Sequence, residues 1–295
     1  PLARGGGLGG AINRPLVWLA FCLFFVIGLA DFRRPLSMRN LDVLAVLSFS
    51  IHLWYFNEGR VFASAIAAAV LLAYLIGRAA WMGCTNRASP AATLLPVWLL
   101  VGATVLLMGF RVGLNLQQEG VLDVGYAGVI GAQRIADGTA PYGRFPERET
   151  GRPCGPTNAD GEIADWVQAN GRCETALPLG DTYGPVNYNA YLPGLAVLGW
   201  SGKWDRLPAV RFTTLLFDAL ALLGLAAVGL RSGGTRLAAV LAFAWAANPF
   251  TQYVSSSNAN DAIMPALLIW GFWAASSDVG RGSLAALAAW AKLAA

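Results

Sequence analysis

The sequence predicts an all-α, polytopic membrane bundle carrying one large polar loop. Three observations predict it: charged residues make up only 13% of the chain, hydrophobic residues reach 56% with a mean hydropathy of +0.51, and the acidic residues are segregated. A soluble domain carries roughly 25% charged residues, so these 295 residues lack the polar surface a water-soluble globule needs. The same hydrophobicity excludes a disordered chain, and four cysteines are too few for a disulfide-dense secreted scaffold. Ten of the 17 acidic residues lie between Glu119 and Asp181. The net charge of +4 comes from arginines in short turns between apolar runs, with no basic, aromatic-interleaved block of the kind nucleic acid requires.

A bilayer core of about 30 Å takes roughly 17–25 apolar residues per helix. Candidate spans are Pro15–Ala30, Leu41–Phe56, Val61–Met82, Leu94–Leu114, Pro208–Leu230, Leu237–Val254, Ala262–Ser276 and Ser283–Ala295. The first is read as a short span rather than a leader, because Asp31-Phe32-Arg33-Arg34 follows it where a small-residue cleavage site would stand. The first two are short and lean on Trp18, Trp54 and Tyr55 at the interface. Helix is the open-chain solution in lipid because each backbone group must find its partner within the segment. Residues 1–93 are expected to form N-terminal membrane helices and residues 94–295 a membrane core, with a loop over 117–207. The chain opens on Pro1 and its last apolar run stops in mid-pattern, so a longer parent protein is expected.

Arginine placement orients the bundle. Turns bearing Arg33/Arg34/Arg39, Arg78/Arg87, Arg231/Arg236 and Arg281 alternate with turns poor in basic residues. Placing the first set in the cytoplasm puts Gln117–Asn187 and Ser255–Asp261 on the outer face. It also requires Tyr191–Trp204, which contains Pro193, to lie at the interface without crossing. The outer loop is too long to be structureless unless it is functional, and Val121–Ala136 and Gly161–Ala169 read as helical pieces within it. Cys154 and Cys173 lie in this loop, where an oxidising compartment favours a disulfide over two free thiols or a metal site. Cys22 and Cys84 read as small hydrophobes. His52, the sole histidine, reads as packed or interfacial, with a proton relay or ligand role as the alternative.

Polar residues then recur in an order. Asp123-Val124-Gly125-Tyr126 follows the fourth span, and Asp137-Gly138-Thr139-Ala140-Pro141-Tyr142-Gly143 comes next. Asp181-Thr182-Tyr183-Gly184-Pro185 precedes the interfacial segment, and Arg206 and Arg211 open the next span, which contains Asp218. Asn248-Pro249 and Ser257-Asn258-Ala259-Asn260-Asp261 complete the series.

This order resembles the GT-C class of membrane glycosyltransferases, in particular the bacterial polyprenyl-phosphate mannosyltransferase-like family, over Leu94–Ala295. The resemblance implies a multi-pass plasma-membrane enzyme whose site faces outside. It would move a mannose-like sugar from a polyprenyl-phosphate donor to a glycan, lipid or protein acceptor. Two departures are the three spans that precede the match and the stop before the class's remaining helices. Transfer of this kind needs a base for the acceptor hydroxyl and a cation for the departing phosphate. By resemblance, Asp123 is the base or positions the acceptor, the alternative being helix-end capping. Asp181 is a second candidate carboxylate, against an ordinary loop Asp.

Tyr126 is placed to stack on sugar, sharing a helical face with Asp123. Tyr142, Tyr183, Tyr188 and Tyr191 form either a sugar-facing rim or an interfacial belt. Lys203, Arg206 and Arg211 break the positive-inside habit, which suits either a lipid-phosphate site or snorkelling to headgroups. Asp218 sits deep in a span, where an ionisable side chain is functional or paired; the partner expected is a polar group on a neighbouring helix. Asp261 caps a helix or touches substrate. No cofactor or metal-ligand set is specified. A transporter or flippase, or a non-catalytic scaffold, are the alternatives to transfer chemistry.

Overall fold

The computed structural model describes residues 15–57, 60–85, 95–117, 121–142, 153–154, 165–167, 173–175, 183–204 and 207–292. Twelve helices follow in order among the described residues: α1 Pro15–Leu29, α2 Met38–Leu47, α3 Phe49–Asn57, α4 Val61–Thr85, α5 Val97–Gln117, α6 Asp123–Ala136, α7 Pro185–Asn189, α8 Leu192–Leu198, α9 Pro208–Ala247, α10 Pro249–Ser257, α11 Ile263–Trp273 and α12 Asp278–Ala291. A 3₁₀ turn, Asn260–Ala262, joins α10 to α11. Three of them, α4, α5 and α9, are long and apolar enough to cross a membrane, and α1 is a shorter apolar helix.

Local chemistry breaks two of the expected spans. Leu41–Phe56 divides at Ser48, where the Ser48 hydroxyl donates to the Leu44 carbonyl (2.7 Å) and Ser50 to that of Leu47 (2.6 Å). Such back-bonding competes with the helix ladder and bends it. Leu237–Val254 divides at Asn248-Pro249, since proline has no N–H to donate and Asn248 Oδ1 caps the Phe250 N–H at 2.8 Å. Upstream, α9 is two arms meeting at Gly233 and Gly234, the latter at φ 72°, a conformation that suits glycine. Across that bend Gly229 lies directly on the backbone of Ala238, so the arms pack closely.

The expected helical piece Gly161–Ala169 is corrected. Asp165–Val167 is a strand (β1) paired antiparallel with Cys173–Thr175 (β2), in the register Asp165↔Thr175, Trp166↔Glu174 and Val167↔Cys173. Trp and Val favour the extended ladder, and a disulfide from Cys173 to Cys154 ties it to the preceding segment.

Two apolar cores hold the helices. One joins α1 (Phe21, Phe25), α5 (Leu100, Leu107) and the second arm of α9 (Val240, Phe243). The other joins α6, α8, Trp204 and the start of α9 through Val129, Tyr191, Leu195 and Val210. Glycines make the second one close: Gly128 and Gly131 lie on the rings of Tyr191 and Tyr188, where any Cβ would collide. Helices α2 to α4 pack mainly on one another. Asp42 accepts from the Tyr74 hydroxyl (2.7 Å) and pairs with Arg78 (3.2 Å), and His52 Nδ1 lies 2.6 Å from the Ser64 hydroxyl.

Candidate functional site

One end of the bundle collects polar side chains that apolar helices would not otherwise carry. The C-terminal turns of α5 and α10 meet there with the N-terminal turns of α6 and α9. Leu122, just before α6, donates its N–H to the Ser257 carbonyl at 3.0 Å, and Gly125 sits directly on the Asn258 carbonyl. Asn115 on α5 donates to the Ser255 carbonyl (2.6 Å) and to Asn258 Oδ1 (2.7 Å), and its own carbonyl accepts from the Arg211 guanidinium. Asn258, at φ 55°, is one of two non-glycine residues in the left-handed region among the described residues, the other being Leu207. Asparagine tolerates that conformation, and here its side chain also holds α5.

Asp123 is the first residue of α6 and is 9% exposed. Its Oδ1 accepts the Val124 N–H at 2.9 Å, and the helix N-terminus favours its negative charge. Arg211, also buried, reaches the same Ser255–Asn258 turn through Asn115. Asp261 pairs with Lys292 at the end of α12, and the Lys292 ammonium lies 5.5 Å from the Tyr183 ring centroid. Asp261 stands in the first turn of the 3₁₀ segment that leads into α11, where its charge suits the helix N-terminus, but it makes no side-chain capping hydrogen bond there. Asn260 Nδ2 donates to Asn187 Oδ1 at 2.9 Å and joins that turn to α7.

The aromatic expectations separate. Tyr142 is exposed and meets Tyr188 edge-on at 5.7 Å, whereas Tyr188 and Tyr191 are fully buried. Tyr126 is buried, with its ring stacked on that of Trp204 at 4.7 Å. Lys203 is exposed in the turn before α9. Asp181 and Arg206 lie outside the described residues.

Deeper in the same helices is a constellation the residue patterns above do not single out. Arg111 of α5 is fully buried and spends every nitrogen: Nε on Gln252 Oε1 (3.0 Å), Nη1 on Asp218 Oδ1 (2.7 Å), and Nη2 on the Trp245 and Ala246 carbonyls (3.2 and 2.9 Å) and Thr251 Oγ1 (3.0 Å). Trp245 Nε1 also donates to Asp218 Oδ1 at 2.8 Å. The break at Pro249 leaves those two carbonyls without helical donors, and Arg111 supplies them. Asp218 is therefore partnered by Arg111 and Trp245. Its other oxygen, Oδ2, has no hydrogen-bond partner among the described residues. The signal for Arg111 was available in the sequence: an arginine within an apolar run is costly in lipid and marks a paired or functional group.

The arginine turns gather at the opposite helix ends. Arg231 donates to the Trp273 carbonyl and Ser276, Arg281 to the Ala275 carbonyl, and Arg39 to the Leu29 carbonyl. Along the C-terminal part of α5, a groove of about 470 Å³ is lined by Phe110, Gly113, Leu114, Leu116 and Gln117. No group of three or more metal-ligating side chains occurs among the described residues. What fold and site define is a helical chain with helices of membrane-crossing length and one polar end. Compared with known proteins, the chain matches no family model, no curated protein and no solved structure.

Proposed function

We propose that the protein is an integral-membrane glycosyltransferase that takes a sugar, mannose-like by resemblance, from a polyprenyl-phosphate donor on the outer face of a plasma membrane. The observation that carries the reading is the buried Asp123 at the head of α6, a helix start that packs through Leu122 and Gly125 on the Ser255–Asn258 turn that Arg211 reaches through Asn115. In the step envisaged, Asp123 takes the acceptor hydroxyl proton as that oxygen bonds to the sugar's anomeric carbon. The bond from that carbon to the phosphate breaks, and its electron pair leaves with polyprenyl phosphate. Arg211 and Lys203 supply positive charge for the departing group, and Arg206 and the second carboxylate, Asp181, belong to the same outer segment. Tyr142 and Tyr183 edge the sugar site, and Asp261 holds its floor through Lys292. The groove beside α5 accommodates part of the donor's apolar tail.

The test is Asp123→Asn, which keeps size and removes basicity. Sugar transfer from a polyprenyl-phosphate donor in reconstituted vesicles should fall by roughly 10²–10⁴, the usual worth of a positioned base, with donor binding little changed. Near-wild-type turnover removes Asp123 from the chemistry. A transporter is the second reading, favoured by the helix break at Asn248-Pro249, since broken helices line transporter sites. Vesicle flux of a fluorescent lipid-linked sugar, unaffected by Asp123→Asn but abolished by Asp218→Asn, would establish it instead.

A further inference from the structure

The connection between α1 and α2 is a rigid turn that displays its side chains. Asn40 secures it at four backbone points: Oδ1 accepts the Asp31 N–H (2.7 Å), and Nδ2 is shared among the carbonyls of Asp31 (3.0 Å), Arg34 (3.3 Å) and Pro35 (3.0 Å). Asp31 Oδ1 accepts the Arg33 N–H at 3.0 Å, and Ser37 caps α2 through the Asn40 N–H. On this scaffold Phe32 is 53% and Leu36 101% exposed, with Arg33 and Arg34 exposed between them. Apolar side chains held outward beside cations suit the headgroup layer of a membrane, where ring and aliphatic groups meet acyl chains and guanidinium groups meet phosphate.

Arginines gather around the turn. Arg39 and Arg236 lie close enough to repel: burial holds the Arg39 guanidinium below its usual range, Asp31 opposes that shift, and Arg236 adds to it. Asp31 is the sole acid of the segment from Pro15 to Leu41. Next to the turn, Met38, Ala73, Tyr74, Gly77, Arg78 and Trp81 line a groove of about 480 Å³. Arg78 is held at its wall by Asp42, which also takes the Tyr74 hydroxyl, and nothing crowds Gly77. The groove thus includes Met38, the first residue of α2 and four residues after Arg34, and runs along an apolar helix of membrane-crossing length.

We infer that this turn and groove bind one anionic phospholipid, its phosphate on Arg33 and Arg34 and an acyl chain along Ala73, Gly77 and Trp81. The site rests on the membrane reading of α4 and is independent of glycosyl transfer. The exposed guanidinium groups of Arg33 and Arg34 select an anion, and the groove selects one with a tail.

The test is native mass spectrometry of the detergent-purified chain with phosphatidylglycerol or phosphatidylcholine of matched tails. Phosphatidylglycerol should be retained in preference, as one tightly held molecule. Arg33→Gln with Arg34→Gln, both at exposed positions, should weaken its retention about thirtyfold, roughly fivefold for each arginine. Gly77→Trp should fill the groove and lower retention of both lipids, while the thermal midpoint of each variant stays at the wild-type value. Equal retention of the two lipids, an unchanged double variant, or displacement of lipid by excess inorganic phosphate each overturns the assignment, the last in favour of a free-anion site. No transfer assay is involved, so a failure here leaves the Asp123 chemistry as it was.

Discussion

Arg111→Met is the sharpest test of how this fold is held together. The change keeps a long, unbranched side chain and removes the guanidinium that serves Asp218, Gln252, Thr251 and the carbonyls of Trp245 and Ala246. Leaving one member of a buried ion pair uncompensated costs about 3–5 kcal/mol. The Trp245 carbonyl keeps the Thr251 hydroxyl at 2.6 Å, whereas the Ala246 carbonyl loses the one side-chain donor it has, adding roughly 1–3 kcal/mol. The thermal midpoint in detergent, followed by loss of the monodisperse peak on size exclusion, should drop by on the order of 10 °C. Arg111→Lys should fall between, because an ammonium keeps the Asp218 pair and cannot fork to both carbonyls. Pairing Arg111→Met with Asp218→Leu should recover part of the loss, since the orphaned carboxylate goes too, with a coupling of about 0.5–3 kcal/mol. If Arg111→Met melts within about 2 °C of wild type, or the double variant is merely the sum of the singles, the network does not hold the helix break.

Gly131→Ala places a methyl group on the Tyr188 ring; overpacking of this kind costs about 1–3 kcal/mol, so the variant should unfold earlier, while Gly138→Ala, at an open but positive-φ turn position, should lose less. In a Cys22→Ala/Cys84→Ser background, a membrane-impermeant thiol reagent added outside intact cells should label Tyr142→Cys and not Ser232→Cys, both at exposed positions; the reverse pattern inverts the orientation and the site with it. Peptide mapping without reductant should recover Cys154 joined to Cys173, and alkylation of both under those conditions would argue against the bond.

Helix existence was legible because lipid-length apolar runs are a strong signal, and α5 and the first arm of α9 fall close to the runs that announced them. The breaks were not. Ser48 and Asn248 interrupt runs whose hydropathy is continuous, and a serine hydroxyl bonding back to a carbonyl, or an asparagine capping the residue after a proline, leaves no trace in an average over a window. The strand Asp165–Val167 escaped for a different reason: three residues are too few for alternation to show. At the polar end, Asp123 and Arg211 could be named from sequence order, but the asparagines that fasten them could not. Asn115 and Asn258 are 143 residues apart, and single polar residues carry no pattern that links them. The helical spacing of Tyr126 from Asp123 was legible, but it says nothing of Trp204, which arrives from another segment to stack on the Tyr126 ring.

The Arg111 network also has a history in time. The Asp218 partner lies 107 residues further along the chain, and Gln252 lies 141. At synthesis rates of roughly 5–20 residues per second, α5 waits about 5 to 20 seconds with a bare guanidinium before its counter-charge exists. A central arginine disfavours insertion by about 2.5–3.5 kcal/mol, and each leucine, valine or phenylalanine returns about 0.3–0.6. The Trp98-Leu99-Leu100-Val101 and Val105-Leu106-Leu107-Met108 stretches of α5 therefore do a job for the nascent chain that the finished fold conceals. Where α5 enters a bilayer as it is made, they would hold its lone cation there until the helices that neutralise it exist.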